Sequence, residues 1–258
     1  MKNVKSLFTG ITLMAVMIGC KDTYKNSEPT QTKVVATKTA SIEKPVVSIL
    51  TAEEQAGMSP DEIVGRLKKG NENFMNNNLT RRDHSEQRRK AMIGQFPKAI
   101  VLSCVDSRVP VEDVFDLGIG DIFVARVAGN IENEDIVGSM EFATAVAGSK
   151  VVIVMGHTEC GAVKSTIDNV DARALNMNSL ANLIDEIRPA VTETKTDGEV
   201  SSKNTVFTNA VITNNAIRTV KNIREASPTM AEMEDKGEIK IVSAVYDMES
   251  GKVSFNHD

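Results

Sequence analysis

Cys104 sits in the segment LSCVDSRVP, and His157 and Cys160 stand three positions apart in MGHTECGAV, in a chain of 258 residues with only three cysteines and three histidines. Two thiolates and an imidazole suit zinc, a borderline-soft ion that takes sulfur and ring nitrogen in a tetrahedron. Three firm protein ligands leave a fourth position for water, which is the habit of catalytic zinc sites. Two thiolates also cancel the charge of the ion. Zinc held this way is a weaker Lewis acid than zinc on three neutral histidines, and its water is expected to ionise above the roughly 7 of such a site unless the surroundings compensate.

Asp106, two residues after Cys104, is close enough to become a fourth ligand and expel the water. Arg108, with its rigid fork of donors, can instead hold that carboxylate in a bidentate pair, leaving Asp106 to orient the metal's water toward a substrate. The sequence leaves both arrangements open. In an exported chain Cys104 and Cys160 have a second use, a disulfide with each other; the neighbouring His157, Asp106 and Arg108 favour the metal. A lone Asp-x-Arg is usually a surface ion pair of little worth, but this one adjoins a ligand at a strand end.

Both cysteine-bearing segments follow apolar runs. Residues 97–104 (PKAIVLSC), 120–127 (GDIFVARV) and 149–156 (SKVVIVMG) are short, β-branched and apolar on both faces, as strands of a covered parallel sheet are. Helix-like runs separate them: a short one at 113–117, and 135–147, where Ile136, Met140, Ala143 and Ala147 repeat at helical spacing. Upstream, SPDEIVGRLKKGNENFM (59–75) opens with a Ser cap, Pro in the first turn and two acids, and places Ile63, Leu67 and Phe74 on one face. Further helices are predicted over 162–168, 179–194 and 203–226, the last with Val206, Ala210, Ile217, Val220 and Ile223 along its stripe. The closing GEIKIVSAVYDMESGKVSF reads as two strands around an ESGK turn, a hairpin at a sheet edge.

This alternation predicts an α/β fold with a central, mostly parallel sheet flanked by helices. Open sheets of that class carry their sites at the carboxyl ends of strands. Cys104 and the His157–Cys160 pair are therefore expected at the same end, with Cys160 at the first turn of helix 162–168, where free N–H groups favour thiolate.

A formal net charge of −5, no Trp and two Tyr argue against a nucleic-acid partner. The one basic run, RRDHSEQRRK (81–90), has the acidic members and spacing of a solvated helix. At the N-terminus Lys2 and Lys5 precede a mostly apolar stretch, 7–18, too short to span a bilayer permanently. The following MIGC resembles the lipobox of bacterial lipoproteins, which implies that residues 1–19 are a signal peptide and that an acylated Cys20 anchors the chain to a membrane facing the periplasm or the outside. Residues 20–48 are polar and aperiodic and read as a flexible tether of roughly 30 Å. A single domain is expected over 49–258, with the lipid as its sole contact with the membrane.

CVDSR, GDIFVARVAGN and, some fifty residues after the first, GHTECGA together resemble the β-class carbonic anhydrases, whose motifs are Cys-x-Asp-x-Arg and His-x-x-Cys. The similarity runs through most of 59–258, including EFATAVAG and YDMESGKVSF. It implies one zinc per subunit on Cys104, His157 and Cys160, a gating and orienting dyad of Asp106 and Arg108, and hydration of carbon dioxide to bicarbonate. By the same matching Gln95 polarises a substrate oxygen, and Phe123, Ala128 and Phe142 line an apolar substrate pocket. Val127 stands where this family commonly has Asn, and Phe142 where Tyr is frequent. The resemblance also implies a homodimer or homotetramer in which helices of one subunit complete the neighbour's pocket. His84 and His257 qualify as proton shuttles by type alone. Two rival activities fit the same residues: a zinc or bicarbonate-binding module without turnover, and a hydrolase of a linear analogue such as carbonyl sulfide or carbon disulfide.

Overall fold

A computed structural model of the chain describes residues 44–256. The segments expected to be signal peptide and most of the tether, Cys20 and His257 lie outside the described residues. The body begins earlier than the expected Ile49. Val46 already exchanges backbone hydrogen bonds with Arg81 and Asp83, and Gln87 donates to the Ser48 carbonyl oxygen, so residues 46–48 belong to the body and not to the expected tether.

Nine α-helices are found among the described residues: α1 (Ala52–Gly57), α2 (Pro60–Met75), α3 (His84–Lys90), α4 (Val111–Val114), α5 (Glu134–Glu141), α6 (Gly161–Ile167), α7 (Asn178–Glu193), α8 (Thr205–Ala226) and α9 (Pro228–Asp235). Five strands, β1 (Ala99–Ser103), β2 (Ile122–Arg126), β3 (Val151–His157), β4 (Lys240–Tyr246) and β5 (Val253–Phe255), form one sheet in the order β2-β1-β3-β4-β5. All pairings are parallel except β4 with β5, the closing hairpin at the edge. None of the helices is long and apolar enough to cross a membrane among the described residues.

Burial explains the strand composition. β1 and β3 are buried at every residue. Ala99, Val101, Val151, Ile153 and Met155 point to one face, against Ile63 and Leu67 of α2 and Phe115, while Ile100, Leu102, Val152 and Val154 point to the other, against Met140, Ala216, Val220 and Ile223. Apolar residues are needed at both parities because both faces are covered.

Two sequence expectations fail on the helices. Residues 135–147 form α5 followed by one π-helical turn, Phe142–Val146, rather than a regular helix. On α8, Val206, Ala210 and Ile217 are exposed, and the buried face carries Phe207, Val211, Ile212, Asn215, Ala216 and Thr219 with Val220 and Ile223. Three polar residues of that face, Thr208 included, hide it from a count of apolar spacing.

Candidate metal centre

The chain leaves β1 at Ser103 and β3 at His157, and the register Ser103 with Met155 sets Cys104 beside the end of β3. The crossover to β2 runs to one side of β1 and the sheet continues through β3 on the other. The crevice between β1 and β3 is the switch point where open sheets bind ligands. Cys160 caps the start of α6 three residues later. The donor atoms of Cys104, His157 and Cys160 all lie within 4.8 Å of one another, and all three residues are buried. The two thiols are free, not joined.

Hydrogen bonding fixes the imidazole. Nδ1 lies 2.8 Å from the Thr158 carbonyl oxygen, which can only accept, so Nδ1 carries the proton and Nε2 holds a lone pair. That Nε2 is fully buried and has no partner among the described residues. A buried nitrogen left unpaired beside two thiols costs free energy unless something coordinates it, and zinc fits this donor set in number, type and tautomer.

Charge is distributed unevenly over the sulfurs. The Cys160 thiol donates to Cys104 and, with the Gly129 N–H, holds Cys104 down at about 4 against the opposing effect of burial. Cys160 is pushed upward by that bond and by its own burial. A metal ion bound by both sulfurs would take the place of the proton between them.

Asp106 and Arg108 form the clamp. Arg108 donates to Oδ1 from its backbone N and Nε, both at 2.9 Å, and to Oδ2 from Nη2 at 2.7 Å. These bonds, the side-chain one foremost, hold the Asp106 carboxyl down at about 2. Oδ2 stands 3.9 Å from His157 Nε2. The carboxylate thus borders the centre while its guanidinium partner faces solvent.

Of the expected pocket, Ala128 alone adjoins the cluster, in the turn Ala128–Asn130 whose Gly129 N–H reaches Cys104 Sγ at 3.3 Å. Phe123 and Phe142 meet edge to face with centroids 6.1 Å apart, in a cavity of about 660 Å3 shared with Ile100, Ala125 and Ile136. Since Phe123 pairs with Ile100, Phe123 lies about 13 Å down the strand from Cys104. Gln95 is exposed in the loop before β1, beyond the opposite end of the strand. One chain by itself does not bring Gln95, Phe123 and Phe142 to its own cluster.

Sequence reasoning missed Arg126. Its Nε donates to the Cys104 carbonyl oxygen at 2.9 Å and its Nη2 to those of Asp106 and Val109 at 2.6 and 3.0 Å, lacing together the loop that carries the clamp. The signal was a lone charge ending an apolar strand run.

Comparison with known proteins agrees with this geometry. The family model described as carbonic anhydrase matches residues 99–253. Carbonic anhydrase 2 of Mycobacterium tuberculosis is 30% identical over 187 residues, which cover 72% of this chain and 87% of that protein. The solved structure of the β-carbonic anhydrase CcaA superposes with a TM-score of 0.59 at 22% identity, covering 76% of this chain and 94% of the other. One of the tetrameric β-carbonic anhydrases of the ascomycete Sordaria macrospora superposes with a TM-score of 0.56 at 20% identity, over 66% and 86%. A cysteine–histidine–cysteine cluster at the β1/β3 switch point, inside a sequence match that runs from β1 to the closing hairpin, places this chain in the carbonic anhydrase family, with the fold of its β class.

Proposed function

We propose that the protein catalyses the zinc-dependent, reversible hydration of carbon dioxide to bicarbonate and a proton. The observation that carries this reading is the buried, unpartnered His157 Nε2 facing two free thiols, with a clamped carboxylate at the edge of the group. Bound by Cys104, His157 and Cys160, zinc supplies the Lewis acidity that makes water a nucleophile toward carbon dioxide. Asp106 stays anionic throughout the neutral range, so it can only accept hydrogen bonds, and it orients the attacking water. Arg108 fixes that acceptor, and Arg126 fixes the loop beneath it. The apolar cluster around the cysteines, with Ile131, Val163 and Ile187, limits bulk water on the buried side.

A stopped-flow indicator assay on the full chain, paired with elemental analysis, tests the reading. His157→Ala and Cys160→Ala are expected to lose zinc and turnover together, and full zinc occupancy in either removes that residue from the ligand set. Asp106→Ala is expected to keep zinc and lose most turnover.

We also propose that copies of the chain associate, and that Gln95, Phe123 and Phe142 serve the neighbour's centre. Their distance from their own cluster supports this, as do the exposed Met92, Ile93, Phe142 and Val146. Export with acylation at Cys20 is a further proposal, supported by the MIGC segment. Labelling with radioactive palmitate is expected to mark the wild type and not Cys20→Ala.

A further inference from the structure

We propose that Asn215 is a positioning residue for the metal centre: acting through Gly129, it aims a backbone N–H at the Cys104 sulfur and limits the charge that sulfur passes to the ion. The inference rests on the metal reading above and adds a device that tunes it. Asn215 lies on α8, 86 residues from the turn it holds, and is 2% exposed. Its Nδ2 donates to the Gly129 carbonyl oxygen at 2.8 Å. Gly129 and Asn130 both have left-handed backbones, at φ 73° and 45°, a turn that glycine and asparagine can adopt and that Asn215 holds in place.

The turn is clamped from the other side as well. A Cβ on Gly129 would stand 2.5 Å from Ile187 Cδ1 and 3.4 Å from Ala162 Cβ, so α6 and α7 press against it where Asn215 pins it. Between these supports the Gly129 N–H points at Cys104 Sγ, 3.3 Å away. A thiolate that accepts a hydrogen bond donates less charge to its metal. A centre with two thiolates needs this compensation if its water is to ionise near neutral pH.

The test uses the full chain with cobalt(II) in place of zinc. In Asn215→Ala the thiolate-to-cobalt charge-transfer band is expected at longer wavelength than in the wild type, because the released sulfur donates more. Thr219→Ala, which removes a buried polar group one turn along the same face of α8, is expected to leave the band in place. A folded Asn215→Ala protein whose band does not move reduces Asn215 to a structural role and overturns the inference. If that variant does not fold, cadmium-113 in the unmutated protein decides: scalar coupling between the metal and the Gly129 amide proton supports the bond, and its absence overturns it. A wild type that takes up no cobalt overturns the metal reading itself, and this inference with it.

Discussion

Arg108 reaches Asp106 from two positions along the chain with a side chain that is 56% exposed, yet it makes three hydrogen bonds to one carboxylate. An exposed pair of this kind contributes little to stability, so its worth lies in orientation. Arg108→Ala is expected to lower kcat/KM about 10- to 100-fold at unchanged zinc content. Arg108→Lys recovers little of that, since an ammonium lacks the fork. Without Arg108 the Asp106 carboxyl rises from about 2 toward the ordinary carboxylate range, a shift that carboxyl-carbon NMR reads directly. The sign for stability follows. The folded-state value lies below the unfolded one, so the contribution is present above about pH 4 and is lost as pH falls toward 2. Urea unfolding of wild type and variant is expected to differ more at neutral pH than at pH 2. At this scale the cysteine–histidine–cysteine cluster and the clamp were legible because Asp106–Arg108 and His157–Cys160 are spacings of two and three residues and Cys104 ends the run of another predicted strand of the same sheet. Arg126, Gly129 and Asn215 were not, because they act through backbone carbonyl oxygens and N–H groups, which carry no residue signature.

Strands were legible as short runs apolar on both faces, and helices where one face is apolar and the ends carry caps. Ser59 accepts from Glu62 N, with Pro60 following it, and α2 was readable from that pattern. Ser227 and Pro228 repeat the same signal at the start of α9, yet α9 was not foreseen, its eight residues burying only Met230. Packing also reverses a propensity argument on α2. Gly70 is mid-helix, where Ala is ordinarily better by about 1 kcal/mol. A Cβ there would stand 1.9 Å from the Phe115 carbonyl oxygen, a backbone atom that cannot step aside. Gly70→Ala is therefore expected to destabilise, by about 1 to 3 kcal/mol as overpacking does. Gly65→Ala on the same helix meets nothing within 4 Å and is expected to stabilise by about 0.5–1 kcal/mol. Thermal unfolding of the two variants checks both signs, and equal effects would mean that α2 does not pack against the residues after α4 as closely as this.

For the molecule as a whole, the mostly parallel sheet, its edge hairpin and the pole that carries the cluster followed from strand grammar, but the strand order and the expected substrate pocket did not. Under the proposal that copies associate, Gln95, Phe123 and Phe142 would serve a neighbour, which no reading of one chain locates. The exposed surface is what motivates that proposal. Ile93 is 91% exposed beside Gln95, and Val146 is 73% exposed one turn after Phe142, positions at which an isolated protein gains nothing from large apolar side chains. A charge at either leaves the fold of the single chain nearly unchanged, within about 0.5 kcal/mol for surface sites, while a charge desolvated without a partner at an interface costs several kcal/mol. Ile93→Glu and Val146→Glu are thus expected to shift sedimentation toward the monomer. Turnover is expected to fall in step with dissociation while zinc stays bound, because each centre keeps its own ligands and loses the neighbour's Gln95. A variant that sediments as a monomer and retains full turnover would return the whole pocket to one chain and remove Gln95 from the reaction.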